Sequence, residues 1–257
     1  MVKIGVSLLP EHTTVAALRR AWRAADDLGV DSLWIWDHFF PVTGDPEGTS
    51  FECWALIAAM AADTNRATVG SLVASCGYRN PDLLADIVRT VDHVSGGRAV
   101  LGLGAGWFER DYTAYGYEFG TAPSRLAALG DTLVRVRTRL GVLRPPPLGR
   151  LPILVGGAGE KVTLALVAQH ADAWNFTGPV DEFQRKNGVL DDWARRVGRD
   201  PSAIERTISV FSEEPLLPLA DYAAAGVEHV IRSVRDPFDL TDVSDLLSQR
   251  VRPGATA

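Results

Sequence analysis

The sequence predicts an α/β protein folded as one (β/α)8 TIM barrel. Three observations carry that expectation. Short apolar runs alternate with amphipathic runs along the whole chain, eight of each. The short runs are largely continuous in apolarity, VGSLVAS, AVLGL and PILV among them, as strands covered on both faces must be. The length of 257 residues, 46% hydrophobic and 23% charged, suits a single soluble domain over residues 1–257.

Val2–Leu8 reads as the first strand. Thr13 or Thr14 caps a helix with Val15, Leu18, Trp22, Ala25 and Leu28 on one face, and Gly29 ends it. Ser32–Trp36 is the second strand, followed at once by Asp37, His38, Phe39 and Phe40. A loop over Pro41–Thr49 leads to a helix near Phe51–Ala62. Thr68–Ser75 is the third strand, and Asn80-Pro81 opens a helix with proline in its first turn. Ala99–Leu103 is the fourth strand. A long loop, GAGWFERDYTAYGYEFG, then runs to the helix Arg125–Leu140. Pro152–Val155 is the fifth strand, with a helix after Gly159 and a sixth strand at Ala173–Phe176. Asp181–Val197, Thr207–Phe211, Pro218–Ala225, Glu228–Ser233 and Asp239–Ser248 complete the alternation.

Several function classes drop out on composition. A net charge of −6 argues against nucleic acid as the main partner. Cys53 and Cys76 form no C-x-x-C and stand in no histidine cluster, so no metal site is expected. The chain opens directly on a strand rather than a signal peptide. No apolar run approaches the roughly 18 residues of a membrane span. A cytoplasmic protein without a membrane partner is the expectation.

The stretch Leu151–Asn175 holds the clearest site signal. A buried strand breaks at Gly156-Gly157-Ala158-Gly159, and a helix follows. Glycines allow close backbone approach, and the free N–H groups of a helix start favour an anion. A phosphate at Gly157–Lys161 is one reading; a tight turn without ligand is the other. The loop lacks P-loop spacing, and Val162 stands where G-x-G-x-x-G needs its last glycine. Gly102–Trp107 fails that pattern too, so a two-domain dinucleotide-binding enzyme is not supported.

A barrel of this kind places its active site at the C-terminal strand ends. His38 is the sharpest candidate there, since imidazole can donate or accept a proton near neutrality. The alternative is a histidine fixed by Asp37 that only holds a loop. Trp107 is either a cap over the mouth or a wall for a flat ring. Glu109 is a candidate for the substrate pocket, while Asp111 reads as a solvated loop charge. Arg98 lies on the stability face. No lysine stands at a strand end, which excludes a Schiff-base aldolase.

Four motifs in order, WDHF at 36–39, YRNP with DHVSGGR up to 98, GLGAGWFERDYTAYGYEF, and VGGAGEKVTLALVAQHADAWN, resemble the luciferase-like flavin and deazaflavin oxidoreductases. The pattern is closest to the coenzyme F420-dependent branch, and it covers Ile4 to about Val234. The resemblance implies a ring cofactor across the barrel mouth and a non-proline cis peptide within Leu72, Val73 and Ala74. It implies cofactor contacts from Asp37, Ser75, Ala105 and Gly106, and a phosphate grip from Gly156, Gly157, Gly159 and Glu160. His38 would be the active-site histidine. Sugar-phosphate dehydrogenases of this family carry a glutamate after the fourth-strand glycines, where this chain has Trp107. Family members also carry a long insertion before the fifth strand, where this chain has only Gly141–Leu151. The pocket is then either open or closed by a second subunit, and a homodimer is expected.

Four functions compete. The first is an F420-dependent oxidoreductase moving hydride to or from a small organic substrate. The second is an FMN-dependent monooxygenase. The third is a cofactor-binding barrel with little catalysis, and the fourth a non-redox phosphate-binding barrel enzyme.

Overall fold

The computed structural model describes residues 1–250; the last part of the expected domain, 251–257, lies outside the described residues. The parallel strands are β1 (Lys3–Leu8), β2 (Ser32–Ile35), β3 (Thr68–Ser71), β4 (Ala74–Ser75), β5 (Ala99–Gly104), β6 (Ile153–Gly156), β7 (Ala173–Thr177), β8 (Glu205–Phe211) and β9 (His229–Val234). The sheet runs β3-β2-β1-β9-β8-β7-β6-β5-β4 and closes because both β3 and β4 pair with β5. It is a (β/α)8 barrel in which β3 and β4 share one stave.

That split corrects the reading of Thr68–Ser75 as one strand. Leu72 and Val73 bulge from the ladder, with a cis peptide between them. The helices between strands are α1 (Val15–Leu28), α2 (Cys53–Asp63), α3 (Pro81–Ser95), α4 (Glu109–Ala114), α5 (Ala122–Val142), α6 (Thr163–His170), α7 (Val180–Arg196), α8 (Leu219–Ala224) and α9 (Thr241–Arg250). The helix α4 was expected to be loop.

Local chemistry sets the helix ends. The Thr14 hydroxyl accepts from the N–H of Ala17, and Gly29 closes α1 at φ 97°, a left-handed conformation glycine adopts without steric cost. The Asn80 side chain accepts from the N–H groups of Asp82 and Leu83 ahead of Pro81. Thr121 and Ser124 form a reciprocal cap on α5.

Two apolar layers result. The larger lies between strands and helices, with Trp22, Trp174, Phe176 and Phe183 fully buried. The smaller comprises Trp34, Val100, Leu154, Ala173 and Ile231, one from each of five strands, with Leu72 and Val73 against it. Residues from strands that far around the sheet meet only inside the closed barrel. This plug separates a floor at the N-terminal strand ends from the mouth. Among the described residues no helix is long and apolar enough to cross a membrane.

Candidate active site

The mouth holds a cavity of about 440 Å³, within the range of small-molecule sites. Its wall takes Ser7 from β1, Asp37 and His38 after β2, Leu72–Ser75 from the bulge, Gly104–Trp107 at the end of β5 and Gly156-Gly157 at the end of β6. Most of the residues that the sequence singled out therefore meet in one place.

His38 is boxed by aromatic rings, with centroids of Trp36, Phe108 and Trp107 at 5.5, 5.5 and 5.7 Å. Its Nδ1 lies 2.7 Å from Oδ2 of Asp111, so Nδ1 carries the proton given to the carboxylate. Among the described residues Nε2 has no partner, and the ring lines the cavity. Asp111 is the correction here. It is fully buried rather than a solvated charge. Its Oδ2 also accepts from the Tyr78 hydroxyl at 2.7 Å, and its Oδ1 from the N–H groups of Phe39 and Phe40 at 3.1 and 3.2 Å. Four donors on two oxygens lock the carboxylate and, through it, the ring. Burial, and next Asp111, push the Tyr78 phenol well above its ordinary range, so it stays a donor.

Asp37 does not hold His38. Successive residues of extended chain point to opposite sides, and Asp37 faces Arg79, which grips both its oxygens at 2.5 and 3.0 Å. Burial raises the Asp37 carboxyl despite that partner. Arg79 also pairs with Glu52. Ser75 is positioned from the same short helix as His38, since its Oγ lies 2.6 Å from the Tyr112 hydroxyl. Gly106 has φ 79°, and a Cβ there would stand 2.0 Å from that hydroxyl; the backbone is pressed against the wall.

The glycine loop is anchored through its carbonyls. Gly157 O accepts from Trp174 Nε1 at 2.8 Å, Ala158 O from Lys186 Nζ at 2.9 Å, and Glu160 O from Trp193 Nε1 at 2.8 Å. In a trans peptide C=O and N–H are antiparallel, so the N–H groups of Ala158, Gly159 and Lys161 face away from those anchors. No side chain caps α6. Thr163, in the first turn, is buried, lines the cavity, and has a hydroxyl without partner among the described residues. The donor set fits an anion.

Three expected residues are not brought to the cavity. Glu109 is exposed on α4 and does not line it. Gly159 is exposed beside Thr163 and does not line the cavity. Glu160 turns outward to Arg185 and Lys186 at 2.7 and 3.1 Å, which hold its carboxyl down at about 2. Sequence reading missed Ser7, Ser233 and Thr163, and it placed Tyr78 and Asn175 at the catalytic strand ends without giving either a role. For the strand residues the signal was present: inward positions at the C-terminal ends of β1, β7 and β9.

Residues 2–212 match the family described as Luciferase-like monooxygenase. The chain is 31% identical over 275 aligned positions to an F420-dependent glucose-6-phosphate dehydrogenase of Kineococcus radiotolerans, covering 96% of this chain and 80% of the relative. It is 24% identical over 214 positions to the 5,10-methylenetetrahydromethanopterin reductase of Methanolobus tindarius, covering 78% of this chain and 62% of the relative. An F420-dependent secondary alcohol dehydrogenase, solved in complex with an F420-acetone adduct, superposes with a TM-score of 0.84 at 17% identity over 98% of both chains. The oxygenating constituent of 3,6-diketocamphane monooxygenase of Pseudomonas putida, in complex with FMN, gives 0.65 at 16% identity over 81% of this chain and 66% of its own. At such identities the two structures speak for the fold.

Proposed function

The chain belongs to the luciferase-like monooxygenase family, and within it we propose that it is a coenzyme F420-dependent oxidoreductase acting on a small organic substrate. The observation that carries this reading is one cavity that joins an uncapped helix end to a histidine with a free nitrogen. The F420-dependent dehydrogenase at 31% identity supports the cofactor. The Thr163 hydroxyl and the N–H groups of Ala158, Gly159 and Lys161 hold the cofactor phosphate, and Gly156 and Gly157 give it room to approach. Leu72, Val73, Ala74 and Ser75, with the backbone of Ala105 and Gly106, form the wall for the ring, and Asp37 borders it. When bound, the deazaflavin supplies the ring carbon that takes or gives the hydride.

The chain's own task is orientation and proton handling. Asp111 keeps the proton of neutral His38 on Nδ1, which leaves the Nε2 lone pair toward the cavity. In substrate oxidation Nε2 takes the hydroxyl proton; in reduction it returns one. The carboxylate of Asp111 offsets the imidazolium between those moments. Trp107 walls the substrate side. Glu109 has no part in this scheme.

Titration of the protein with F420 and with FMN, followed by absorbance, tests the proposal. Tighter binding of F420 is expected. Tighter binding of FMN with oxygen uptake overturns it in favour of a monooxygenase, and binding of neither overturns it outright. Gly157→Val sharpens the titration, because Gly157 has φ 136° and a Cβ there meets Thr163 at 3.1 Å. Affinity for the cofactor should fall tenfold or more, about 1.4 kcal/mol, with the fold intact by circular dichroism. The proposal includes a homodimer: Trp107 and Tyr115 remain 62% and 54% exposed beside the mouth, and monomers rarely leave such surface open. A monomer mass by light scattering at micromolar concentration overturns that part.

A further inference from the structure

We infer that the hydroxyls of Ser7 and Ser233 form the substrate subsite, and that it receives the oxygen of an uncharged alcohol or carbonyl compound. The inference rests on the F420 reading of the same pocket. Ser7 and Ser233 are register partners on β1 and β9. They are 2% and 4% exposed, and both line the cavity. Among the described residues neither hydroxyl has a hydrogen-bond partner. Nearby Asn175 differs: its amide binds Thr207 Oγ1 at 2.8 Å and Ser209 Oγ at 3.1 Å and is spent within the wall. Two hydroxyls side by side, with no partner in the wall and open to the cavity, can both bond one polar atom of a ligand. Each can donate or accept, which matches a carbonyl oxygen as well as the alcohol it becomes.

Their place in the barrel separates them from the cofactor side. Around the closed sheet, β1 lies opposite β6 and β9 opposite β5, so the pair stands across the mouth from the glycine break and the helix end at Thr163. His38 follows β2, which pairs with β1. The hydroxyl pair and the free nitrogen therefore border the same half of the cavity. An oxygen held by the pair shares that half of the cavity with the His38 ring.

The charge of the pocket sets the substrate class. Among the described residues its lining contains no lysine or arginine, and its carboxylate, Asp37, is neutralised by Arg79 from behind. An anionic substrate would be desolvated beside Asp37 with no cation to meet it, a strongly unfavourable transfer. A neutral molecule incurs no such loss.

Saturation-transfer NMR on the F420-loaded protein tests this with four probes: 2-propanol, cyclohexanone, acetate and methyl phosphate. The neutral probes should bind and the anions should not. In the Ser7→Ala/Ser233→Ala double variant the neutral probes should bind about tenfold more weakly, while F420 affinity, read by its fluorescence, stays as in the parent. Each single variant, run in parallel, should give part of the loss and guards against a misfolded double variant. Anion binding equal to or tighter than neutral binding overturns the inference. So does unchanged neutral binding in the variants, or no neutral binding at all. Failure of the F420 titration strikes the cofactor reading instead, and the probes then read the hydroxyl pair on the unloaded protein.

Discussion

The two ends of the barrel each hold a histidine paired with a carboxylate, and they differ in what the second nitrogen meets. At the floor, His229 Nδ1 lies 3.0 Å from Glu205 Oε1 and Nε2 lies 2.8 Å from Ser32 Oγ. Ser32 in turn accepts from Trp34 Nε1 at 2.6 Å, and Lys3 completes Glu205 at 3.1 Å. Every polar atom of that chain is used, and it anchors the indole that plugs the barrel. At the mouth, His38 spends one nitrogen on Asp111 and keeps the other for the cavity. A carboxylate partner therefore says little about function by itself. What the second nitrogen meets decides between a strut and an acid/base.

The comparison breaks most sharply at His38. His38→Ala should lower turnover by about 10²–10⁴-fold, the usual contribution of a positioned proton-transfer group, with F420 affinity little changed. Stopped-flow reduction of the bound cofactor reads the chemical step. Near-normal turnover would defeat the assignment. Loss of the cofactor instead would make His38 a ring-positioning residue, with the proton then left to bound water.

The converse substitution is His229→Ala. It strips Ser32 of its acceptor and leaves Glu205 without its main partner, so stability should fall by about 1–3 kcal/mol in urea unfolding. Turnover of the remaining folded enzyme should match the parent. A large loss of turnover at unchanged stability would erase the distinction between the two ends.

The smallest effect concerns acid. Burial alone would raise Glu205, but the hydrogen bond and charge of His229, helped by Lys3, outweigh it and hold the carboxyl at about 2, down from 4.5. A folded-state value below the unfolded one contributes stability that is complete above the unfolded value. That contribution is lost as pH falls from 4.5 toward 2. Glu205→Gln should flatten the stability profile across that window and lower stability near neutrality, where the contribution is complete. A variant whose profile keeps the parent's slope would remove Glu205 as a source of acid sensitivity.

Much of this barrel could be read from the chain, because its strands and caps are local statements. Asn80-Pro81, Gly29 and the run Ile153–Val155 declare their roles within a few residues. Hydropathy does not show the bulge, since Leu72 and Val73 are as apolar as their neighbours and a break in register leaves the pattern untouched; the family resemblance implied its cis peptide within 72–74, where it is found. Helix α4 was hidden because no side chain caps its start at Phe108 and its few residues sit in an aromatic loop. With α4 unseen, Asp111 looked like a surface charge; its burial arises where the segment after β2, Tyr78 and α4 converge. Glu160 misled for the same reason in reverse. Lys186 and Arg185, from a helix later in the chain, draw it outward. His38 and the glycine break were legible because strand ends fix their position without help from distant segments.

Asp111 and Tyr112 are adjacent in the chain yet serve different clients, His38 on one side and Ser75 on the other. Heredity treats them as one locus. A one-residue insertion or deletion ahead of Glu109 would rotate both out of place together, removing the brace of His38 and that of Ser75 in one event. The connector between α5 and β6 braces a different part of the barrel: the N–H groups of Leu148 and Gly149 donate to the buried Asp92 carboxylate of α3 at 2.7 and 3.1 Å. A change of length over 143–152 would therefore unsettle Asp92 and leave Asp111 and Tyr112 in place, whereas a change between Gly104 and Asp111 would move both at once.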